Sequence, residues 1–314
     1  MKKLVFLAVL MFVFVSCTGE INSGTQTETP HAGTGAARPT VDREGFAITL
    51  PDEISSIITI GASNTEIITA LGLGGKIVAT DMFSADVHGL PDGVVTELDM
   101  LSLDAEFIVG LMPDIIFVTG MARAGGTDDP LAVVSNVGIA VIYMPSSDSI
   151  HAIMEDIRFI ASVVDERERG EALIAGMQSA IDEIRDVTAT ITTPRTVYFE
   201  VYPAPWMVSF GTGTFLNEMI ELVGAVNIFA DQEGWFSVSD ENLLHLNPDV
   251  ILTSSEFLDD PVTEIKTRPG FGAITAVQNG DVFLISANYS NRPSHNIVNA
   301  LWEIAVAVFP EYFR

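Results

Sequence analysis

One short pattern occurs twice in this chain, and it constrains the fold more than any other feature. Glu106 opens E-F-I-V-G-L-M-P-D-I-I-F-V-T and Glu241 opens E-N-L-L-H-L-N-P-D-V-I-L-T-S. Each copy reads as a short amphipathic helix, a Pro-Asp break and a continuous apolar run. Proline disfavours helical dihedrals in the residue before it, so the helices end ahead of Pro113 and Pro248. The runs Ile115-Ile116-Phe117-Val118 and Val250-Ile251-Leu252 suit strands covered on both faces, as in a parallel sheet. The copies lie 241 − 106 = 135 residues apart, which predicts two similar lobes in one chain. Each lobe then carries a carboxylate, Glu106 or Glu241, at an equivalent helix start. On local grounds alone these two complement the helix dipole.

The N-terminus indicates the compartment. Met1-Lys2-Lys3 is a basic head, and Leu4 to Val15 is an apolar core closed by Ser16-Cys17. That is a secretory signal, too short and wrongly flanked for a membrane span. Cys17 is the single cysteine of the chain, so an intramolecular disulfide is ruled out and the thiol needs another use. Phe14-Val15-Ser16-Cys17 resembles a bacterial lipobox, which implies a signal over 1–17 and lipidation at Cys17. Multiple acyl chains there would hold the protein stably on a membrane. Residues 18–39 are rich in Thr, Gly, Ser and Ala and read as a flexible tether, with His31 incidental to it. Acidic residues outnumber basic ones by 42 to 15, a net charge of −27, and no basic footprint for nucleic acid is visible.

Beyond the tether, strand and helix patterns alternate. Ser56 to Ile60, Lys76 to Ala79, Val95, the first repeat strand and Ala140 to Tyr143 are strand candidates, which predicts an α/β lobe over 40–148 with helices flanking a parallel sheet. From Ser149 the period becomes helical. Ile150, Ile153, Ile157 and Ile160 lead into Ile174, Met177, Ile181 and Ile184, and Glu166 to Val187 predicts a rod about 30 Å long. Residues 149–193 form this helical segment, and a second β-α lobe fills 194–314.

Several stretches, in this order, resemble the ABC-transporter substrate-binding proteins for iron complexes and cobalamin. They are V-D-R-E-G-F-A-I-T-L-P from Val41, S-N-T-E-I-I-T-A-L-G-L-G from Ser63, both Pro-Asp units, G-T-F-L-N-E-M-I-E-L-V-G-A-V-N-I-F from Gly213 and N-R-P-S-H-N-I-V-N-A-L from Asn291. The resemblance covers essentially everything after the tether. It implies two doubly wound α/β lobes joined by one long helix, a ligand between them and limited hinge motion. It also implies a monomer that works with a permease dimer and its ATPase subunits. Glutamates on each lobe engage the permease in that family, and the matching positions are Glu106 and Glu241.

Ligands of open α/β sheets sit beyond the carboxyl ends of the strands. The loops expected there carry Ser63 and Asn64, Met82 and Phe83, Asp99 and Met100, and Arg123 in the first lobe. The second lobe offers Trp206, Trp235, Tyr289 and Arg292. Trp235 stands where family members place a ligand-facing Trp, and Met100 stands where cobalamin-binding relatives place another. Flat aromatic walls suit a large planar ligand. Anionic chelates call for arginine or lysine, and these loops hold only Arg123 and Arg292. The family resemblance puts an iron chelate such as a ferric siderophore first, with cobalamin or haem as alternatives in the same role. A surface lipoprotein that binds other macromolecules is the reading from another class. His88, His151, His245 and His295 stand in unrelated contexts, so no protein-held metal and no cofactor are expected. Ser63 lacks the G-x-S-x-G elbow and no Gly-Lys-Ser/Thr follows Gly211-Thr212-Gly213, so no enzyme is expected either.

Overall fold

The structure is a computed structural model that describes residues 37–123 and 129–313, without the side chain of Arg123. Cys17, the signal, His31 and most of the 18–39 tether lie outside the described residues. Residues 38–314 form one compact unit, and the fold within it is α/β with two lobes.

The first lobe is built on a parallel sheet of β1 (Ile57–Ile60), β2 (Ile77–Asp81), β3 (Val95–Leu98), β4 (Ile115–Thr119) and β5 (Ala140–Met144) in the order 3-2-1-4-5. Helices α1 (Ala62–Ala70), α2 (Ala105–Gly110) and α3 (Ala132–Asn136) connect these strands. Two helices follow, α4 (Ile150–Val163) and the long α5 (Arg167–Thr188). The second lobe has strands β6 (Thr196–Glu200), β7 (Val208–Phe210), β8 (Val226–Asn227), β9 (Trp235–Ser237), β10 (Val250–Thr253) and β11 (Val282–Leu284). Four of them make a parallel sheet in the order 11-10-6-8, while β7 and β9 form a separate antiparallel pair. Its helices are α6 (Phe215–Leu222), α7 (Asp240–Leu246), α8 (Pro261–Thr267), α9 (Thr275–Asn279), α10 (Ala287–Ser290) and α11 (Ile297–Val308).

The repeated sequence occupies matching places. β4 lies between β1 and β5, and β10 lies between β6 and β11, so each copy supplies an inner strand. The aspartate of each Pro-Asp then ties that strand to its neighbour. Asp114 Oδ2 accepts from the amides of Ser55 (2.7 Å) and Ser56 (2.8 Å), while Asp114 N donates to Ser56 Oγ at 3.0 Å. Asp249 Oδ2 accepts from Thr196 N (2.8 Å) and Oγ1 (2.7 Å), and Asp249 N donates back to Thr196 Oγ1 at 3.0 Å. Partial burial pushes the Asp114 carboxyl upward, but these donors outweigh it and hold it below its ordinary value. A lowered carboxyl adds stability above its unfolded value that disappears as pH falls through the folded one. Asp114→Ala is therefore expected to lose about 1–2 kcal/mol at neutral pH, with the deficit shrinking below about pH 4. Urea titrations of both proteins across that range would measure it.

Burial explains why the lobes act as one body. Alternate strand residues face different cores. Ile57, Phe117, Val197, Phe199 and Leu252 belong to a single apolar cluster that spans both lobes and includes α4, α5 and α11. Ile58, Ile60, Ile116 and Val118 face a separate core in the first lobe, and Tyr198 and Ile251 face one in the second. Helix α5 puts Gly170, Ile174, Met177, Ile181 and Ile184 on one buried stripe. A Cβ on Gly170 would lie 2.5 Å from that of Ala161, so the glycine lets α4 and α5 approach closely. At 1.5 Å per residue, the 22 residues of α5 run about 33 Å. A core continuous across the junction resists free swinging of the lobes, because packed interiors deform little.

Candidate functional site

The loops beyond the sheets meet across the two lobes, and buried polar groups shape them. In the first lobe, Gly61 has φ 101°, a conformation that glycine adopts without a Cβ penalty, and its amide donates to Asp81 Oδ2 at 2.6 Å. Asp81 also accepts from Phe83 N and Ser84 Oγ, both at 2.9 Å. Thr65 Oγ1 lies 2.8 Å from Thr59, 3.0 Å from Thr80 and 2.9 Å from Ser84 hydroxyls. All five of these side chains are buried. A fully satisfied buried network of this kind rigidifies what it touches, here the Gly61 turn into α1 and the 82–85 segment.

In the second lobe, Glu200 ends β6 just ahead of the 201–207 loop. Arg268 grips it with a two-pronged contact, Nη1 to Oε2 at 2.6 Å and Nη2 to Oε1 at 2.7 Å. The same guanidinium bonds Glu264 through Nε (3.0 Å) and Nη2 (2.5 Å), contacts Met207 Sδ at 3.2 Å and lies 5.3 Å from the Phe271 ring centroid. Burial pushes the Glu200 carboxyl up while Arg268 pulls it back. Burial likewise opposes the charge on Arg268, but its two carboxylates more than offset that and hold its pKa above the ordinary value.

On this frame stand large apolar side chains that face solvent. Met82 and Phe83 are exposed after β2, and Trp206 is 74% exposed at the tip of the 201–207 loop. Trp235 is 53% exposed, and it sits on β9 rather than on a loop, paired with Phe210 of β7 and packed edge-on to its ring at 5.7 Å. Leu101, Met121, Tyr202 and Phe257 are also exposed at the same strand ends. Tyr202 and Phe257 stack at 5.6 Å with a 34° tilt.

Other expected residues are placed differently. Asn64 is buried and spends its amide on Ile60 O at 2.9 Å. Ser63 is half-buried beside it, and Tyr289 is half-buried on α10 against the shared core. Met100 packs partly against the outer core of its lobe, while Asp99 is exposed and turns back to cap Leu101 N at 2.9 Å. Arg292 is committed to carboxylates. Its Nη1 reaches Glu66 Oε1 at 3.1 Å, and Nη2 reaches Asp86 Oδ1 and Phe83 O, each at 2.8 Å. Partial burial pushes the Asp86 carboxyl up, but Arg292 and Asn288 outweigh it and hold it below its ordinary value. Among the described residues, the loops at the strand ends thus present no arginine or lysine without a carboxylate partner. Among the described residues no group of three or more His, Cys, Asp or Glu is placed to hold a metal ion.

Glu106 and Glu241 are both exposed, each in the first turn of its helix. Asp104 caps α2 by accepting from Phe107 N, and Ser239 caps α7 by accepting from Asn242 N. His245 falls in the last turn of α7. A separate crevice of about 470 Å³ lies between α4, α5 and α6, lined by Ile150, Met154, Ile181 and Glu218 among others. None of its walls comes from the strand-end loops, and Glu218 already accepts from Ile150 N at 2.7 Å. The exposed apolar side chains at the strand ends are therefore taken as the candidate site. Among the described residues no helix is long and apolar enough to cross a membrane.

Residues 57–289 match the periplasmic binding protein family. An uncharacterized ABC transporter substrate-binding lipoprotein of Bacillus subtilis, YvrC, is 26% identical over 275 residues, 87% of this chain and 86% of the relative. A vitamin B12-binding protein of Vibrio cholerae is 27% identical over 257 residues, 81% of this chain and 89% of its own. The crystal structure of a possible iron-binding (periplasmic solute-binding) protein from Staphylococcus epidermidis superposes with a TM-score of 0.71. It is 26% identical and covers 82% of this chain and all of its own.

Proposed function

Since the chain belongs to the periplasmic binding protein family, we propose that it is the extracytoplasmic binding component of an ABC importer and that its ligand is a corrinoid of the cobalamin type. One observation carries the choice of ligand. The cleft offers exposed aromatic, Met and Leu side chains from both lobes, and its one described arginine is already paired with two carboxylates. Haem brings two propionates, and catecholate or carboxylate ferric siderophores bring several negative charges. Such ligands need locally concentrated cations against a chain of net charge −27. Cyanocobalamin is neutral, broad and fringed with amides, so apolar walls and scattered hydrogen-bonding groups suit it. The similarity to a vitamin B12-binding protein supports the same reading. The similarity to a possible iron-binding protein supports the alternative, an iron chelate, which family resemblance put first.

In this role the signal and Cys17 deliver the protein to the outer face of a membrane and anchor it there by lipid. Glu106 and Glu241 meet the two permease subunits. Met82, Phe83, Leu101, Trp206 and Trp235 wall the ligand.

Titration of the full chain with cyanocobalamin, followed by tryptophan quenching and calorimetry, tests the assignment. Saturable binding is expected, weakened about 10- to 100-fold by Trp235→Ala through loss of one aromatic wall. Ferric enterobactin and haem are expected to bind far more weakly. Tight binding of ferric enterobactin with none of cyanocobalamin would reject the corrinoid.

A further inference from the structure

The cleft residues that hold charge are mostly turned on each other, across the lobes. Glu66 lies on α1 in the first lobe with its side chain 7% exposed. Its Oε1 accepts from Arg292, while Oε2 accepts from Ser294 Oγ and from Asn296 Nδ2 at 3.0 Å, all three in the second lobe. Five residues beyond β2, Asp86 receives Arg292 on one oxygen and Asn288 Nδ2, at 2.5 Å, on the other. Arg292 also donates to the carbonyl of Phe83, a proposed wall of the site. Its own side chain is only 14% exposed. The donors 288–296 form one short strap, which is organised internally by Ser294 N to Arg292 O at 2.8 Å and Asn296 N to Ser294 Oγ at 3.1 Å. The strap is tied to the end of β10 through Asn291 and Ser254.

A carboxylate this deep is stable only when its lone pairs are satisfied, and all the donors to Glu66 come from the opposite lobe. Arginine suits the task because its planar fork serves two acceptors in fixed geometry and stays charged. We propose that Glu66, Asp86 and Arg292 form a cross-lobe latch that sets the aperture of the cleft and holds the Phe83 wall against the strap, so that Arg292 is a positioning residue and not a counter-ion for the ligand. The proposal rests on the reading of this cleft as the ligand site. It adds a fixed spacing between the walls, which favours a ligand of one thickness and slows its escape.

Hydrogen–deuterium exchange on the ligand-free full chain in detergent tests the latch without reference to any ligand. Arg292→Ala is expected to raise exchange in residues 82–87, on the opposite lobe, by about tenfold or more, because those amides lose their cross-lobe support. Glu66→Gln should raise exchange in 292–297 in the same way, and Arg292→Lys should restore part of the protection by keeping the charge without the fork. Unchanged exchange at 82–87 in Arg292→Ala would overturn the latch. A uniform rise across both sheets would overturn it too, since that marks general loss of stability. With cyanocobalamin as probe, Arg292→Ala should dissociate about tenfold faster, most of the change falling in the off-rate. If the unmodified protein does not bind cyanocobalamin, the ligand assignment fails and the exchange results alone judge the latch.

Discussion

Arg268→Ala is expected to destabilise the protein by about 3–5 kcal/mol, the range found when one partner of a buried ion pair is removed. The guanidinium and Glu200 are almost fully buried, and Arg268 makes every close charged contact that Glu200 has. Without it Glu200 stays buried and close to Glu264, both of which favour its protonated form, against a single hydrogen bond from Tyr198 OH at 3.3 Å. A carboxyl whose folded value is raised stabilises the protein below its unfolded value and loses that contribution as pH rises through the folded one. The deficit of Arg268→Ala should therefore be smallest near pH 4–5 and grow toward pH 8. Glu200→Gln combined with Arg268→Ala should recover part of the loss, because no charge is then left buried. The effect reaches the site as well. Arg268 touches Met207, next to Trp206, so a loosened loop should also weaken ligand binding. Chemical denaturation at several pH values checks the stability claim. A deficit under about 1 kcal/mol that ignores pH would mean that water already reaches the pair.

What the sequence disclosed and what it hid follow from the range of the interactions involved. The two Pro-Asp units were legible because proline punctuation and apolar runs act over a few residues. They predicted two matching inner strands, and those are β4 and β10. The long helix was legible for the same reason, with its apolar stripe from Ile174 to Ile184 repeating every three or four residues. Trp235 was picked out by family resemblance, yet its strand was not visible. Strand β9 is three residues long and exists through pairing with β7, 25 residues earlier in the register Phe210 to Trp235. The latch was hidden for a stronger reason, since Glu66 and Arg292 are separated by 226 residues. One clue was present: Glu66 directly precedes the apolar pair Ile67-Ile68 on a short helix, and a carboxylate buried there requires a partner. Arg292, read from sequence as a ligand contact, has its charge occupied by that partner.

Charge reversal of both Glu106 and Glu241 is expected to reduce uptake by about 100-fold or more while leaving ligand affinity within about twofold of normal. Each carboxylate is exposed at the start of a short capped helix, and the two helices occupy matching places in the repeat. Neither takes part in the polar network under the cleft loops, so the ligand walls should not sense the change. A single exposed ion pair contributes little by itself, typically under about 1 kcal/mol. Two pairs on one rigid body act differently, because the first contact makes the second intramolecular. Rigidity is supplied by the core shared across the lobes and by α5, which fix the separation of the two glutamates. Glu106→Arg or Glu241→Arg alone should then lower uptake about tenfold, and the double change should exceed the product of the two only if the permease tolerates one-sided docking poorly. The effect should weaken at high salt, where exposed charges are screened within about 10 Å or less. Uptake by reconstituted transporter, beside calorimetry on the isolated protein, separates the two roles. If Glu106→Arg keeps its fold yet loses ligand affinity, that carboxylate belongs to the binding cleft and the docking assignment falls.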